Sequence, residues 1–171
     1  MNTLSLILHT LAAAVLVGPQ VLMFYAVTPA TWLIEHDEKL KRDVLKVVTG
    51  RFARLAVVAF VVLLVTGVYQ WFAIPPEIRE ARATLNLGWI FSIKIFLVVV
   101  LAGLTYWHVA KYARSITRLS DEVIAGRGDP GELESLRLRS FSFSIAILVV
   151  SILVLVLGVA LGDHEYAWVQ R

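Results

Sequence analysis

The sequence predicts an all-α integral membrane protein built as a bundle of four membrane-spanning helices. Hydrophobic residues make up 58% of the 171 residues and charged residues only 17%, a balance that is untypical of a water-soluble domain. The apolar residues form four blocks, each long enough to cross about 30 Å of hydrocarbon at roughly 1.5 Å per helical residue. The blocks lie at about residues 4–28, 52–74, 87–110 and 141–162, and we expect a single transmembrane domain over residues 1–171.

The first block is expected to remain as a helix rather than to be cleaved as a signal peptide. No Lys or Arg precedes it, and it is longer than the apolar core of a signal peptide. The chain contains no cysteine, which excludes disulfides, thiolate metal sites and covalently attached haem.

The basic residues are concentrated in two segments, and this predicts the orientation of the chain. Residues 31–54 contain six Lys or Arg side chains and residues 111–140 contain another six, whereas residues 75–86 contain only Arg79 and Arg82. Since basic loops stay on the cytoplasmic side, both termini are predicted to face outward, and in a bacterium the protein would lie in the inner membrane. Asp and Glu accompany the basic residues in both segments, so no nucleic-acid partner is expected.

Two helical elements are predicted on the cytoplasmic side. Apolar residues repeat at helical spacing along one face of residues 35–48, which predicts a short interfacial helix that ends at Gly50. The third helix is expected to continue to Ala125. The turn-forming residues 126–131 then lead into the fourth helix, so the two helices form a cytoplasmic hairpin.

Two polar residues stand out in the apolar blocks. Lys94 has no acidic residue within ten positions on either side, and an ammonium group there costs roughly 3 kcal/mol on insertion scales. His9 is the only His, Lys, Arg, Asp or Glu in the first block. Both helices run inward from the same side, so both residues lie about six residues, or roughly 9 Å, below the outer surface. We therefore expect His9 and Lys94 to form a pair.

One interpretation of this pair is a haem site. The imidazole of His9 is the usual kind of haem ligand, and Lys94 in an apolar setting can offer a neutral amine. Arg79 and Arg82 in the outer loop are then candidates for the haem propionates, and Gln70 lies near the same end of the second helix.

Two other interpretations remain open. The pair could be a structural contact that relieves two buried polar groups. It could also bind copper, either through His9 and Lys94 or through His164 in the outward segment 163–165, because imidazole is a ligand that copper accepts.

The fourth helix carries a Gly-x-x-x-Gly pattern at Gly158 and Gly162. Small residues at this spacing let helix backbones approach closely. The pattern predicts tight packing inside the bundle or across a homodimer.

Three segments of the first three helices carry a family resemblance. They are Leu8-His9-Thr-Leu-Ala-Ala-Ala-Val-Leu-Val-Gly18 with Val27-Thr-Pro29-Ala, Arg51-Phe-Ala-Arg-Leu-Ala with Leu64-Val-Thr66-Gly67, and Trp89-Ile-Phe-Ser-Ile-Lys94-Ile-Phe-Leu. Together they resemble the CopD (copper resistance D) family of membrane proteins over residues 8–104. The related HemJ family of haem-binding protoporphyrinogen oxidases shares the first-helix His, a Thr-x-Gly-like end to the second helix and a Lys in this setting. The resemblance implies that His9 and Lys94 are functional residues, and similarity to HemJ implies axial ligands of haem b.

Three functions follow as hypotheses. The first is a b-type haem protein that moves electrons between a periplasmic partner and the membrane quinone pool, as a membrane oxidoreductase would. The second is a CopD-like protein that handles or transports copper. The third is a non-catalytic assembly subunit that packs through the Gly158 and Gly162 stripe.

Overall fold

The computed structural model describes residues 3–34 and 37–169, without the side chain of His164. This part of the chain contains four helical rods that are long and apolar enough to cross a membrane, which confirms the predicted fold class. The rods span Thr3–Trp32, Glu38–Phe72, Asn86–Ile124 and Pro130–Gly162.

The rods are built from α-helices joined by short irregular turns. These turns are π-helical at Met23–Val27 and Val109–Ala113, and a 3-10 helix lies at Ala81–Thr84. The helices of the described residues are α1 (Thr3–Leu22), α2 (Thr28–Trp32), α3 (Glu38–Phe72), α4 (Pro76–Glu80), α5 (Asn86–His108), α6 (Arg114–Ile124), α7 (Pro130–Gly162) and α8 (His164–Ala167).

The prediction of a separate interfacial helix over residues 35–48 is wrong. Residues 35 and 36 lie outside the described residues, and from Glu38 onward α3 runs through Gly50 without a break. A glycine inside a helix costs only about 1 kcal/mol. Tertiary contacts at the start of α3 oppose that cost, because Arg137 donates two hydrogen bonds to the Glu38 carboxylate and Ser120 donates a third.

The predicted helical hairpin is confirmed, while its cytoplasmic location stays a prediction. The third rod continues through α6, and α7 begins at Pro130, so the turn between them has the predicted position. Gly126 has a φ of 71°, which favours glycine because a Cβ atom crowds the backbone there. Arg42 of α3 pairs with Asp121 of α6, which ties the hairpin to the second rod.

The four rods pack as two antiparallel hairpins. The first hairpin is α1 with α3 and the second is α5 with α7, and α1 also contacts α7. In the described residues α3 and α5 have few close backbone contacts. The buried residues along the rods are mostly small, which allows close helix approach in a membrane, and they include Ser5, Ala12, Ala59, Thr66 and Ser151.

The end of the bundle where α1 and α5 begin is covered by α8. Asn86 binds this segment through its backbone N–H, which donates to the Val169 carbonyl, and through its side chain, which donates to the Tyr166 carbonyl. We call this the outer end, because the charge pattern predicts that it faces outward; the orientation of the termini stays a prediction.

Candidate functional site

His9 is held against the second helix of its own hairpin by a side-chain hydrogen bond. Its Nδ1 atom lies 2.8 Å from the hydroxyl oxygen of Thr66, which is 8% exposed. On the same helix, Gly67 lies beside the ring, and a Cβ atom there would be in ordinary van der Waals contact with His9 Cε1 at 3.5 Å. The imidazole therefore occupies a fixed position between α1 and α3.

The hydrogen bonds of Thr66 decide which nitrogen of His9 carries the proton. The Thr66 hydroxyl donates to the Val62 carbonyl at 2.6 Å. A hydroxyl has one proton to donate, so toward His9 its oxygen can only accept. The Nδ1 atom is therefore the protonated one, and the lone pair lies on Nε2. This is the arrangement that second-shell partners impose on metal-binding histidines.

Lys94 lies against the second helix of the other hairpin. A Cβ atom on Gly158 would be only 3.2 Å from Lys94 Nζ, so the glycine provides the space that the amine fills. Among the described residues no carboxylate forms an ion pair with Lys94. The side chain is also close enough to His9 for an electrostatic interaction between them. Gly158 therefore contributes to packing within the bundle, beside Lys94. A Cβ atom on Gly162 would meet nothing within 4 Å.

The two hairpins present their polar residues in the same way. In each, the first helix carries the nitrogen-bearing side chain, His9 or Lys94. In each, the second helix carries the glycine beside it, Gly67 or Gly158. Because α1 contacts α7 while α3 and α5 stay apart, the two nitrogen groups belong to a junction between hairpins.

Gln70 stabilises the first hairpin. Its side-chain nitrogen donates to the Ser5 carbonyl at 3.2 Å, one helical turn outward from His9. Gln70 is thus near His9, and its amide nitrogen already has a protein partner.

Arg79 and Arg82 lie in a different place. They line a groove of about 860 Å³ at the outer end, and the lining of that groove does not include His9 or Lys94. The rings of Trp71 and Phe91, which also line it, stack with centroids 4.2 Å apart. The five predicted cofactor residues are therefore divided between the bundle interior and an outer groove.

The other predicted metal ligand, His164, has a side chain outside the described residues. Its neighbour Asp163 accepts hydrogen bonds from the backbone N–H groups of Glu165 and Tyr166, so this carboxylate caps α8. The described residues contain no group of three or more His, Cys, Asp or Glu side chains placed to hold a metal.

A comparison with protein families decides where the chain belongs. Residues 46–161, more than half of the chain, match the family model of copper resistance protein D. The chain belongs to the CopD family. No curated protein and no solved structure matches it. It is therefore a multi-pass membrane protein of a copper-resistance family, and its apolar helices indicate a lipid bilayer environment.

The CopD match confirms the predicted family but covers a different part of the chain. It begins inside α3 and includes α7, whereas the resemblance over residues 8–104 begins in α1. Thr66, Lys94 and Gly158 lie inside the matched residues, and His9 lies outside them. The relation to HemJ stays a prediction.

Sequence reasoning missed the roles of Thr66 and Gly158. Thr66 belongs to a segment that carries the family resemblance. As a polar residue in an apolar helix, it also indicates a hydrogen-bond partner on another element. The spacing of Gly158 and Gly162 indicates helix packing. It does not indicate that Lys94 is the side chain that lies against Gly158.

Proposed function

We propose that this CopD-family protein handles copper, and that the ion binds in transit to Nε2 of His9 and the neutral amine of Lys94. The observation that carries the proposal is the hydrogen bond between His9 and Thr66. Because Nδ1–H is bound to the Thr66 hydroxyl, the lone pair of Nε2 points away from Thr66 and stays available to a metal ion. Membership of a copper-resistance family supports copper as the ion.

Lys94 supports the proposal through its lack of a counter-charge. An ammonium group inside a bundle is costly without a partner, and no described carboxylate supplies one. As a neutral amine, Lys94 becomes a nitrogen donor instead. Nitrogen ligands suit copper, whereas magnesium and calcium prefer oxygen.

The small number of donors suits cargo rather than a resident ion. Transport requires binding that is favourable enough for the ion to arrive and weak enough for it to leave. Two nitrogen donors on separate hairpins meet this requirement better than a closed set of four ligands, which is typical of structural metal sites.

A second candidate is haem b, favoured by the same donor set. The macrocycle supplies four ligands of its own, so a haem iron needs only axial ligands from the protein. His9 and Lys94 would hold it, and it would supply one-electron chemistry to a quinone and a periplasmic partner. Under this candidate, Arg79 and Arg82 would face the propionates from the outer groove.

The metal content and absorption spectrum of the full chain, purified in detergent, distinguish the candidates. In an equilibrium titration with copper(I) or copper(II), we expect saturable binding of one copper ion per chain and no Soret band. Iron with a Soret band would overturn the copper proposal and support haem. A colourless protein that retains neither metal would contradict both and favour an assembly subunit.

Two glycines of α7 provide a matched test of the Lys94 position. Replacing Gly158 with leucine fills the space that Nζ occupies, so we expect copper binding to weaken at least about tenfold, or about 1.4 kcal/mol. Gly162→Leu adds the same side chain at an unobstructed position one turn away. A copper titration should show wild-type affinity for this control, and equal losses in the two variants would contradict the assignment.

A further inference from the structure

The outer groove combines aromatic walls with two arginines. Trp71 and Phe72 of α3 form one wall, and Trp89 and Phe91 of α5 form the other. The α4 segment and the 3-10 helix close the outward side. The Trp71 and Phe91 rings stack across the two walls with centroids 4.2 Å apart, while in the described residues the backbones of α3 and α5 have few close contacts.

The two arginines are held at the rim of this groove. The Arg79 guanidinium lies over the Phe72 ring, 5.9 Å from its centroid, and Arg82 donates a hydrogen bond to the Arg79 carbonyl at 3.0 Å. Gly88 lets the backbone of Arg82 approach α5 closely, since a Cβ there would be 2.2 Å from the Arg82 carbonyl oxygen. The positions of both side chains are therefore constrained by their surroundings.

The charge of the groove favours an anion. Glu80 is the acidic residue in its lining, against two arginines, and neither arginine forms an ion pair within the described part of the chain. Arginine presents a planar set of N–H donors that matches the oxygens of a phosphate.

The apolar walls continue into surface that faces lipid. Phe72 and Ile93 line the groove, yet they are 69% and 42% exposed. One turn deeper on the same helix faces, Val68 and Phe96 are 51% and 65% exposed. A ligand with its head on the arginines could therefore lay acyl chains along a continuous apolar surface, which a soluble anion cannot use.

From these contacts we infer that the groove binds the phosphate headgroup of an anionic phospholipid. Tryptophan at the groove fits this location, because tryptophan is enriched at membrane–water interfaces. The inference is independent of the copper proposal, since it uses neither His9 nor Lys94.

Two of the five tryptophans, Trp71 and Trp89, line the groove, so part of the fluorescence of the chain reports on it. The full chain is reconstituted in vesicles whose phosphatidylglycerol or phosphatidylcholine carries brominated chains, and bromine quenching is compared at equal mole fraction. We expect roughly fivefold preference for phosphatidylglycerol, the factor for one net charge at a membrane surface. The preference should disappear in Arg79→Gln/Arg82→Gln. Equal quenching by both lipids, or a preference that survives in this variant, would overturn the inference.

Three controls define what the signal means. Arg127→Gln removes an exposed charge from the turn at the opposite end of the bundle and should keep the preference. Trp71→Phe/Trp89→Phe should remove the difference in quenching between the two lipids, and a difference that persists in the three remaining tryptophans would place the lipid elsewhere. Inorganic phosphate added to the buffer should leave the preference unchanged, and its loss would assign the groove to free anions instead of lipid.

Discussion

Replacing His9 with alanine is expected to abolish stoichiometric copper binding by the detergent-purified protein. The variant removes Nε2, the donor that the Thr66 hydrogen bond leaves available, and no other His, Asp or Glu of the described residues clusters there to replace it. Metal content after incubation with copper measures the effect. Helical content measured in the same sample shows whether the bundle remains folded.

His108 supplies the matched control for this prediction. It lies at the opposite end of α5, packed against the rings of Tyr112 and Phe143, and its Nδ1 atom is buried without a partner in the described structure. His108→Ala should keep the copper. If it loses copper while His9→Ala retains it, the site lies at the other end of the bundle and the assignment of His9 is wrong.

Lys94→Leu separates binding from stability. Replacement of a half-buried polar amine by an apolar side chain should leave the bundle as stable as before or more stable, because leucine removes the cost of keeping the amine away from water. Copper binding should nevertheless fall as it does in His9→Ala. A variant that is both stable and fully loaded with copper would exclude Lys94 as a ligand.

The membrane-crossing part of the fold could be predicted because hydropathy and length determine it. The ends of the rods could not be found in the same way. Residues 38–50 are too polar to signal a span, and Gly50 suggests a break, but α3 continues because Glu38 is bound by Arg137 and Ser120. Ser120 is 82 positions and Arg137 is 99 positions from Glu38 in the sequence, so no local pattern contains them.

The sequence predicts the depth of the candidate site but not its contacts. Counting residues from the helix starts places His9 and Lys94 at one level, since the first and third membrane-spanning helices run in the same direction. The rotation of each helix about its axis is set by packing, which the apolar sequence leaves undetermined. For this reason the sequence predicts the two nitrogen groups as candidates, while the glycines beside them and the separate groove of Arg79 and Arg82 emerged only from the structure.

Thr66→Val is expected to weaken copper binding about 10- to 100-fold, the usual effect of losing a second-shell partner of a metal-binding histidine. Valine keeps the shape of threonine but not the hydroxyl. The His9 Nδ1–H then loses its acceptor, and the ring is free to change tautomer and to rotate. A copper titration measures the affinity, and the nitrogen NMR shifts of the imidazole report the tautomer.

Thr66→Ser should restore most of what Thr66→Val loses, because serine returns the hydroxyl that accepts from Nδ1 and donates to the Val62 carbonyl. A simple packing role for Thr66 predicts the opposite order, since serine lacks the methyl group that valine keeps. Wild-type affinity in Thr66→Val, or equal losses in both variants, would show that His9 does not depend on this hydrogen bond. The two substitutions therefore test whether the hydroxyl itself prepares His9 for a metal ion.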